Sequence, residues 1–447
     1  MSISPARVSA YEILLRVECE DAYSSELLHT PKYAKLSSVD HGLATELVMG
    51  VLRWRSFLDA RIAAHSSQKL ARLDLEVLTA LRIAAYQLMF LDRVPQHAAV
   101  NESVELVKRA RKRSAVPFVN ALLRKLAGQE AERSEIRTAS NAAALAAVSA
   151  HPLWLVDRWV RAFGLEQAGK ICEYDQQTPE TSLRISDPAL EGKLQSEGIT
   201  LGTGRLLASA RRVTSGEITQ TQSFRSGREA IQDEGSQLAA LLVGRGSRFL
   251  DCCAAPGGKT RVLAQQNPSA TIVAVELHPQ RARLMRRLVT EANVYIVAAD
   301  VRELPLDDYF DRVLVDVPCS GTGTLGRNPE IKWRLRPPGE NSGLADLQRK
   351  QIEILQSAMH EVAPGGRLVY STCSLEPEEN EQVIEKAMVA NSGFRLVNCR
   401  DELERLWREK ELIWPDLDSL LRGPYLKTIP GVHPCDGFFA AVLEKIL

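Results

Sequence analysis

Asp251-Cys252-Cys253-Ala254-Ala255-Pro256-Gly257-Gly258-Lys259-Thr260 follows an apolar run that ends at Leu250 and leads into sequence of helical character. A strand, a glycine loop and a helix in that order open a doubly wound α/β unit. Paired glycines beside a helix start let the backbone approach a ligand closely. The loop is not Gly-x-Gly-x-x-Gly. Nor is it a Walker A loop, which needs four residues between its first glycine and Gly-Lys, so a nucleoside triphosphate is disfavoured. Further apolar runs end at Val275, Ala298, Val317 and Tyr370, with helical sequence between them. Short apolar strands alternating with helices predict a doubly wound, mostly parallel sheet from residue 236 to 447.

Ligands of such a sheet bind at the carboxyl ends of its strands. Glu276 ends the second strand, where a carboxylate can accept both ribose hydroxyls of a nucleoside cofactor. Asp300 ends the third, placed to accept from an adenine amino group, and Asp316 ends the fourth, close to where a methionine ammonium would lie. Each acid alone reads more simply as a cap on the helix that follows it. The series, combined with the glycine loop, favours a cationic, adenosine-bearing cofactor over a polyphosphate.

The fourth strand continues as Asp316-Val317-Pro318-Cys319-Ser320-Gly321-Thr322-Gly323, and the fifth ends in Tyr370-Ser371-Thr372-Cys373-Ser374. Both thiols therefore fall just past strand ends, on the cofactor's face. Carbon 5 of cytosine is a poor nucleophile. A thiolate that adds to carbon 6 makes the ring an enamine whose carbon 5 can attack a sulfonium methyl group, which is covalent catalysis. Cysteine suits this because its thiolate both attacks and leaves readily. The simpler reading is two small cysteines packed as hydrophobes. That reading serves for Cys19, Cys172 and Cys399, and Cys252 and Cys253 read as cofactor-loop packing. The motifs around Cys319 and Cys373 favour chemistry.

Upstream, residues 1–130 read as an all-α bundle. Ala10, Ile13, Leu14 and Val17 recur at helical spacing, as do Leu43, Leu47, Val51 and Leu52, and an apolar run from Leu73 to Leu91 suits a central helix. Residues 131–235 read as a linker, with an alanine-rich stretch at 142–147, followed by a small β-α-β module with strand signals at Leu183-Arg184-Ile185 and near 206–213. The chain has 447 residues, 45% hydrophobic and 25% charged, an ordinary soluble composition. Its 56 basic and 56 acidic residues balance, so any RNA-binding surface must be local. Eight cysteines without a C-x-x-C pair, no zinc-ligand spacing and no long apolar segment predict a cytoplasmic protein with reduced thiols, no metal and no membrane contact.

These motifs resemble the Sun family of RNA cytosine-C5 methyltransferases, on residues 251–260, 311–334 (with Arg327-Asn328-Pro329-Glu330-Ile331-Lys332-Trp333), 365–380 and Asp436-Gly437-Phe438-Phe439-Ala440-Ala441. Pro-Cys-Ser-Gly followed by Ser-Thr-Cys-Ser is the specific part. The resemblance implies a Rossmann-like class I methyltransferase domain that uses S-adenosyl-L-methionine. It implies Cys373 as nucleophile and Cys319 as the residue assisting product release. It implies a cofactor site of Cys253, Ala254, Ala255, Pro256, Gly257, Gly258, Lys259, Glu276, Asp300 and Asp316. Residues 40–53, His97-Ala98-Ala99-Val100-Asn101-Glu102 and 118–124 resemble a NusB-type RNA-binding domain. A NusB-like domain joined to a Sun domain is the arrangement of the RsmB (Fmu) type, which implies 16S, small-subunit rRNA as substrate. The same chemistry on tRNA or another rRNA site stays open, as does a non-catalytic NusB-like binding or antitermination factor.

Lys108, Arg109, Arg111, Lys112 and Arg113 suit either phosphate contact or a solvated helix end, and the NusB resemblance favours RNA. Arg281, Arg283, Arg286 and Arg287 read as a solvated helix face. The target cytosine must leave its stack to be reached, so an unpaired cytidine is expected.

Overall fold

The computed structural model describes residues 3–446 except 21, 34, 128–135, 186–187, 226–230, 305–309 and 338–342. The first part of the connector expected after residue 128 thus lies outside the described residues. The chain forms two compact units, one of residues 1–178 and 325–337, the other of 179–324 and 338–447.

The first unit is helical. Its longer helices are Pro5–Glu20, Ser38–His65, Leu75–Phe90, Gln96–Arg109, Val116–Ala127 and Leu153–Gln176. The Ser37 hydroxyl accepts from the Asp40 N–H at 3.1 Å and starts the longest of them, satisfying one of the donors left over at a helix start. Ile13, Leu47, Leu52, Leu58, Leu81 and Ile83 are buried completely or nearly so and form one core. Burial of each such side chain is worth about 1.5–3 kcal/mol. Gly50 interrupts good helix formers, and a helical glycine costs about 1 kcal/mol. The reason is contact: a Cβ there would stand 1.9 Å from the Tyr86 ring.

Leu325–Pro337 belongs to this unit although it directly follows a strand-end motif of the other. The Lys332 ammonium is buried and donates to the carbonyls of Arg53 at 2.9 Å and Ala150 at 3.2 Å. Arg53 donates to the Gly326 carbonyl at 2.9 Å, and the Trp333 indole to that of Leu52 at 2.7 Å. Glu330 accepts from both the N–H and the hydroxyl of Ser24, at 2.8 and 2.9 Å. The stretch 326–333, which in the sequence carried only a resemblance, is thus fastened to the helical unit by polar contacts along its whole length.

The second unit begins with three antiparallel strands, β1 (Thr181–Arg184), β2 (Thr200–Thr203) and β3 (Ala210–Ser215), in the order β1-β3-β2. The β-α-β reading missed β2, whose Thr-Leu-Gly-Thr sequence is short, polar and only partly covered. The main sheet contains β4 (Arg248–Asp251), β5 (Thr271–Glu276), β6 (Val294–Ala298), β7 (Phe310–Asp316), β8 (Val362–Thr372), β9 (Phe394–Val397), β10 (Leu421–Arg422), β11 (Tyr425–Lys427) and β12 (Phe439–Lys445). Its order is β10-β11-β12-β8-β7-β4-β5-β6, with β9 also pairing β12. β4 to β8, the strands read from the sequence, pair in parallel. The other half is antiparallel, through β12. Leu250, Val313, Val315, Leu368, Tyr370 and Phe439 are buried along it. The terminal motif is explained by close approach. Gly437 N–H donates to the Gly323 carbonyl at 2.8 Å, and a Cβ on Gly323 would stand 2.2 Å from the Gly437 oxygen. No helix among the described residues is long and apolar enough to cross a membrane.

His433 is buried, its Nδ1 accepting the Ile429 N–H at 2.8 Å. Burial, aided by the Arg422 charge, pushes it down to about 4. An unfolded imidazole ionises near 6.5, so the unfolded chain takes the proton first, and stability falls as pH drops through the window from 6.5 to about 4. At pH 5 this one group should remove about 2 kcal/mol. Thermal melts at pH 7.5 and 5 should therefore show a smaller acid loss for His433→Gln than for wild type; equal losses would refute the assignment.

Candidate active site at the strand ends

The glycine loop is built for a close backbone approach. Asp251 is buried and accepts from the Thr260 hydroxyl at 2.7 Å, and burial pushes its carboxyl up to about 7. Gly257 has φ 109° and caps the helix Gly258–Gln266. A Cβ on Gly257 would come within 2.4 Å of Val289, so no side chain can occupy this turn. The helix start leaves peptide N–H groups and the positive dipole end for a ligand. Cys252 is buried and Cys253 half-buried, and burial raises both thiols.

The three acids differ in what they already hold. Glu276 is buried, accepts the His278 N–H at 2.9 Å and faces Arg281 at 3.5 Å. Asp300 caps the turn after it through the Arg302 N–H at 3.0 Å and pairs with the Arg302 guanidinium at 2.6 Å, which lowers its pKa. The capping role is therefore present at Asp300, whereas Glu276 holds the N–H of His278, the residue before the helix Pro279–Leu288. Asp316 accepts from the Ser371 hydroxyl at 2.7 Å and from the Lys259 ammonium at 2.8 Å. Lys259 also lies over the Phe438 ring at 5.1 Å. Burial alone would lower Lys259, but Asp316, with help from Cys373 and Asp251, raises it instead. The sequence suggested two independent cofactor contacts at 259 and 316. The structure joins them as an ion pair.

Cys319 and Cys373 come together. Their sulfurs are 3.1 Å apart, and the Cys373 N–H donates to the Cys319 sulfur at 3.3 Å. The parallel register Val315↔Tyr370 and Asp316↔Ser371 sets the two loops side by side. The hydrogen bond with Cys373, then burial, pushes the Cys319 thiol well up, so Cys319 holds its proton. Behind the thiols lie Ser320, Gln351, Ser374, Glu379 and Asn380, buried polar groups to which the sequence reading gave no role. Their signal is a carboxylate-rich run, 376–381, at the close of a strand-end motif. Among the basic candidates, Lys108 pairs with Glu105 at 2.6 Å, Arg109 with Glu12 at 3.3 Å and Lys112 with Asp74 at 3.0 Å. Arg281 and Arg286 donate to the carbonyls of Ala255 and Ile296 at 3.1 and 3.0 Å.

A glycine loop, acids at successive strand ends and a sheet whose core strands are parallel are the features of an α/β protein that binds a nucleoside cofactor. Residues 239–444 match the family described as 16S rRNA methyltransferase RsmB/F, and residues 4–128 match the NusB family. Probable ribosomal RNA small subunit methyltransferase B of Bacillus subtilis is 31% identical, the alignment covering 100% of both chains. Ribosomal RNA small subunit methyltransferase B of Klebsiella pneumoniae is 31% identical over 93% of this chain and 92% of its own. Among solved structures, PH0851 matches with a TM-score of 0.79 at 24% identity over 100% of both chains. NSun6 from Pyrococcus horikoshii with SFG matches with a TM-score of 0.55 at 21% identity, over 67% of this chain and 100% of its own. These two structures bear on the fold alone. The chain belongs to the RsmB/F family of RNA methyltransferases and carries a NusB-family domain at residues 4–128. As a methyltransferase of that family it uses S-adenosylmethionine, and the Gly257 cradle with buried Glu276 fits an adenosine-bearing group.

Sulfurs 3.1 Å apart need little movement to bond. Diamide, which takes two electrons and two protons from a dithiol, should join Cys319 to Cys373, seen by peptide mass spectrometry as a linked pair of tryptic peptides. Unlinked, fully alkylatable thiols under those conditions would contradict the geometry.

Proposed function

We propose that the protein methylates carbon 5 of a cytidine in small-subunit rRNA, with Cys373 as nucleophile and Cys319 assisting release. The observation that carries this reading is the pair of thiols at the ends of adjacent parallel strands, beside the Lys259–Asp316 pair. Cys373 in its thiolate form bonds to carbon 6 of the ring, which makes carbon 5 electron-rich. Cys373 is among the groups that raise Lys259, so the ammonium stays charged near that thiol. S-adenosylmethionine, when bound, supplies the electrophilic methyl group. Once Cys373 is bonded to carbon, its hydrogen bond to Cys319 is gone, and with it the largest cause of the raised Cys319 pKa. Cys319 is then able to ionise and help remove the carbon 5 proton, whose bonding electrons expel Cys373. On this reading 253–259, Glu276, Asp300 and Asp316 hold the cofactor. The rRNA assignment draws on the names of the relatives and on the NusB-family domain.

Labelled S-adenosylmethionine with either protein-free small-subunit rRNA or tRNA, followed by bisulfite mapping, tests the substrate. Label as 5-methylcytosine in the rRNA is expected, and label in tRNA alone would overturn the rRNA assignment. Cys373→Ala should keep RNA binding and lose at least about 1000-fold in turnover. Cys319→Ala should accumulate a covalent RNA adduct on denaturing gels. An adduct that survives the Cys373 change would mean the two roles are reversed. Asp300→Ala should abolish cofactor binding by calorimetry, and unchanged affinity would remove Asp300 from the site.

A further inference from the structure

Glu379 lies completely buried behind both thiols. One carboxylate oxygen accepts the Ser320 peptide N–H at 2.8 Å and the Gln351 amide at 2.9 Å. The other accepts the hydroxyls of Ser320 and of Ser374, the latter at 2.5 Å. Ser320 follows Cys319 directly, and Ser374 follows Cys373 directly. A single side chain therefore ties together the two residues next to the two sulfurs. The same amide of Gln351 donates to the Pro318 carbonyl at 2.9 Å, on the other side of Cys319. The segment carrying Glu379 is itself fixed. Its carbonyl accepts the Tyr370 hydroxyl at 2.6 Å. Asn380 accepts from the Thr372 hydroxyl at 2.6 Å and donates to the Ser374 carbonyl at 2.9 Å.

Among the described residues, the donors to Glu379 are a peptide N–H, an amide and two hydroxyls, and none is a cation. Burying a carboxylate without a cationic partner is expensive even when it is well hydrogen-bonded. A carboxylate suits the clamp because both of its oxygens accept, whereas a glutamine would set a donor at one of the two positions.

We propose that Glu379 is a positioning residue for the reaction, clamping the Cys319 and Cys373 loops at fixed spacing through Ser320 and Ser374. This rests on the reading of Cys373 as nucleophile. The carboxylate acts through the two serines and is hydrogen-bonded to neither sulfur.

Glu379→Gln keeps the size and replaces one accepting oxygen with a donating nitrogen. Its turnover should fall at least about 10-fold while cofactor affinity by calorimetry stays within about 2-fold, because Glu379 touches none of the cofactor-loop residues. Wild-type turnover, or a cofactor affinity that falls as far as turnover, would overturn the proposal. If the Gln variant loses its cooperative melt, Ser374→Ala reads the clamp from the donor side. That variant should lose about 10-fold in turnover with cofactor affinity unmoved, and unchanged turnover would overturn the clamp. Cys373→Ala in parallel separates the two layers: methyl transfer surviving that change sinks the nucleophile assignment, whatever the Glu379 variants do.

Discussion

The parallel pairing of β7 with β8 is the constraint on which the site depends. Register Asp316↔Ser371 brings together two loops whose cysteines are 54 residues apart. Backbone hydrogen bonds continue past the strands, from Val317 N–H to the Ser371 carbonyl at 3.1 Å and from Gly323 N–H to the Cys373 carbonyl at 2.9 Å. A slip of one residue would turn the side chains that follow to the opposite face and separate the sulfurs. The buried stack of Val313, Val315, Leu368 and Tyr370 opposes such a slip, since each would have to exchange faces. Packing in the sheet therefore determines chemistry at its edge.

Around that pairing, charge is distributed unevenly. On one side Lys259 is held by Asp316, itself fixed by Ser371 on β8, and this puts a cation near Cys373. Glu379 puts a buried carboxylate behind the pair, bonded to the residues that follow both cysteines. Two identical side chains 3.1 Å apart thereby receive different environments. On the proposed reading the raised Cys319 thiol is the proton-bearing partner and Cys373 the nucleophile.

Much of this was legible in the sequence. The strands β4, β5, β7 and β8 announce themselves because a parallel sheet is covered on both faces and its strands read as continuous apolar runs. The loops after them carry compact motifs, so the order of residues alone singles out Gly257, Glu276, Cys319 and Cys373. β2 and β9–β11 escaped because two to four residues are too few to show a period. The Lys259–Asp316 pair and the Glu379 clamp escaped for a different reason. Both join residues distant in sequence, and only the fold makes them neighbours. The segment 327–333 was recognisable as a motif, yet its burial against Leu52, Arg53 and Ala150 leaves no periodic trace. The acids at 276 and 300 also satisfy local N–H groups, which is why capping and ligand binding looked alike in the sequence.

The central claim is that the Cys373 sulfur, and not that of Cys319, bonds to the cytosine ring. RNA carrying 5-fluorocytidine tests it most directly, because fluorine at carbon 5 cannot leave as a proton does and the adduct is trapped. The two cysteines lie in different tryptic peptides, residues 313–327 and 368–386. Incubation of the wild-type protein with this RNA and S-adenosylmethionine, then nuclease and trypsin digestion and mass spectrometry, should find the nucleotide on the peptide 368–386. Finding it on the peptide 313–327 would contradict the account.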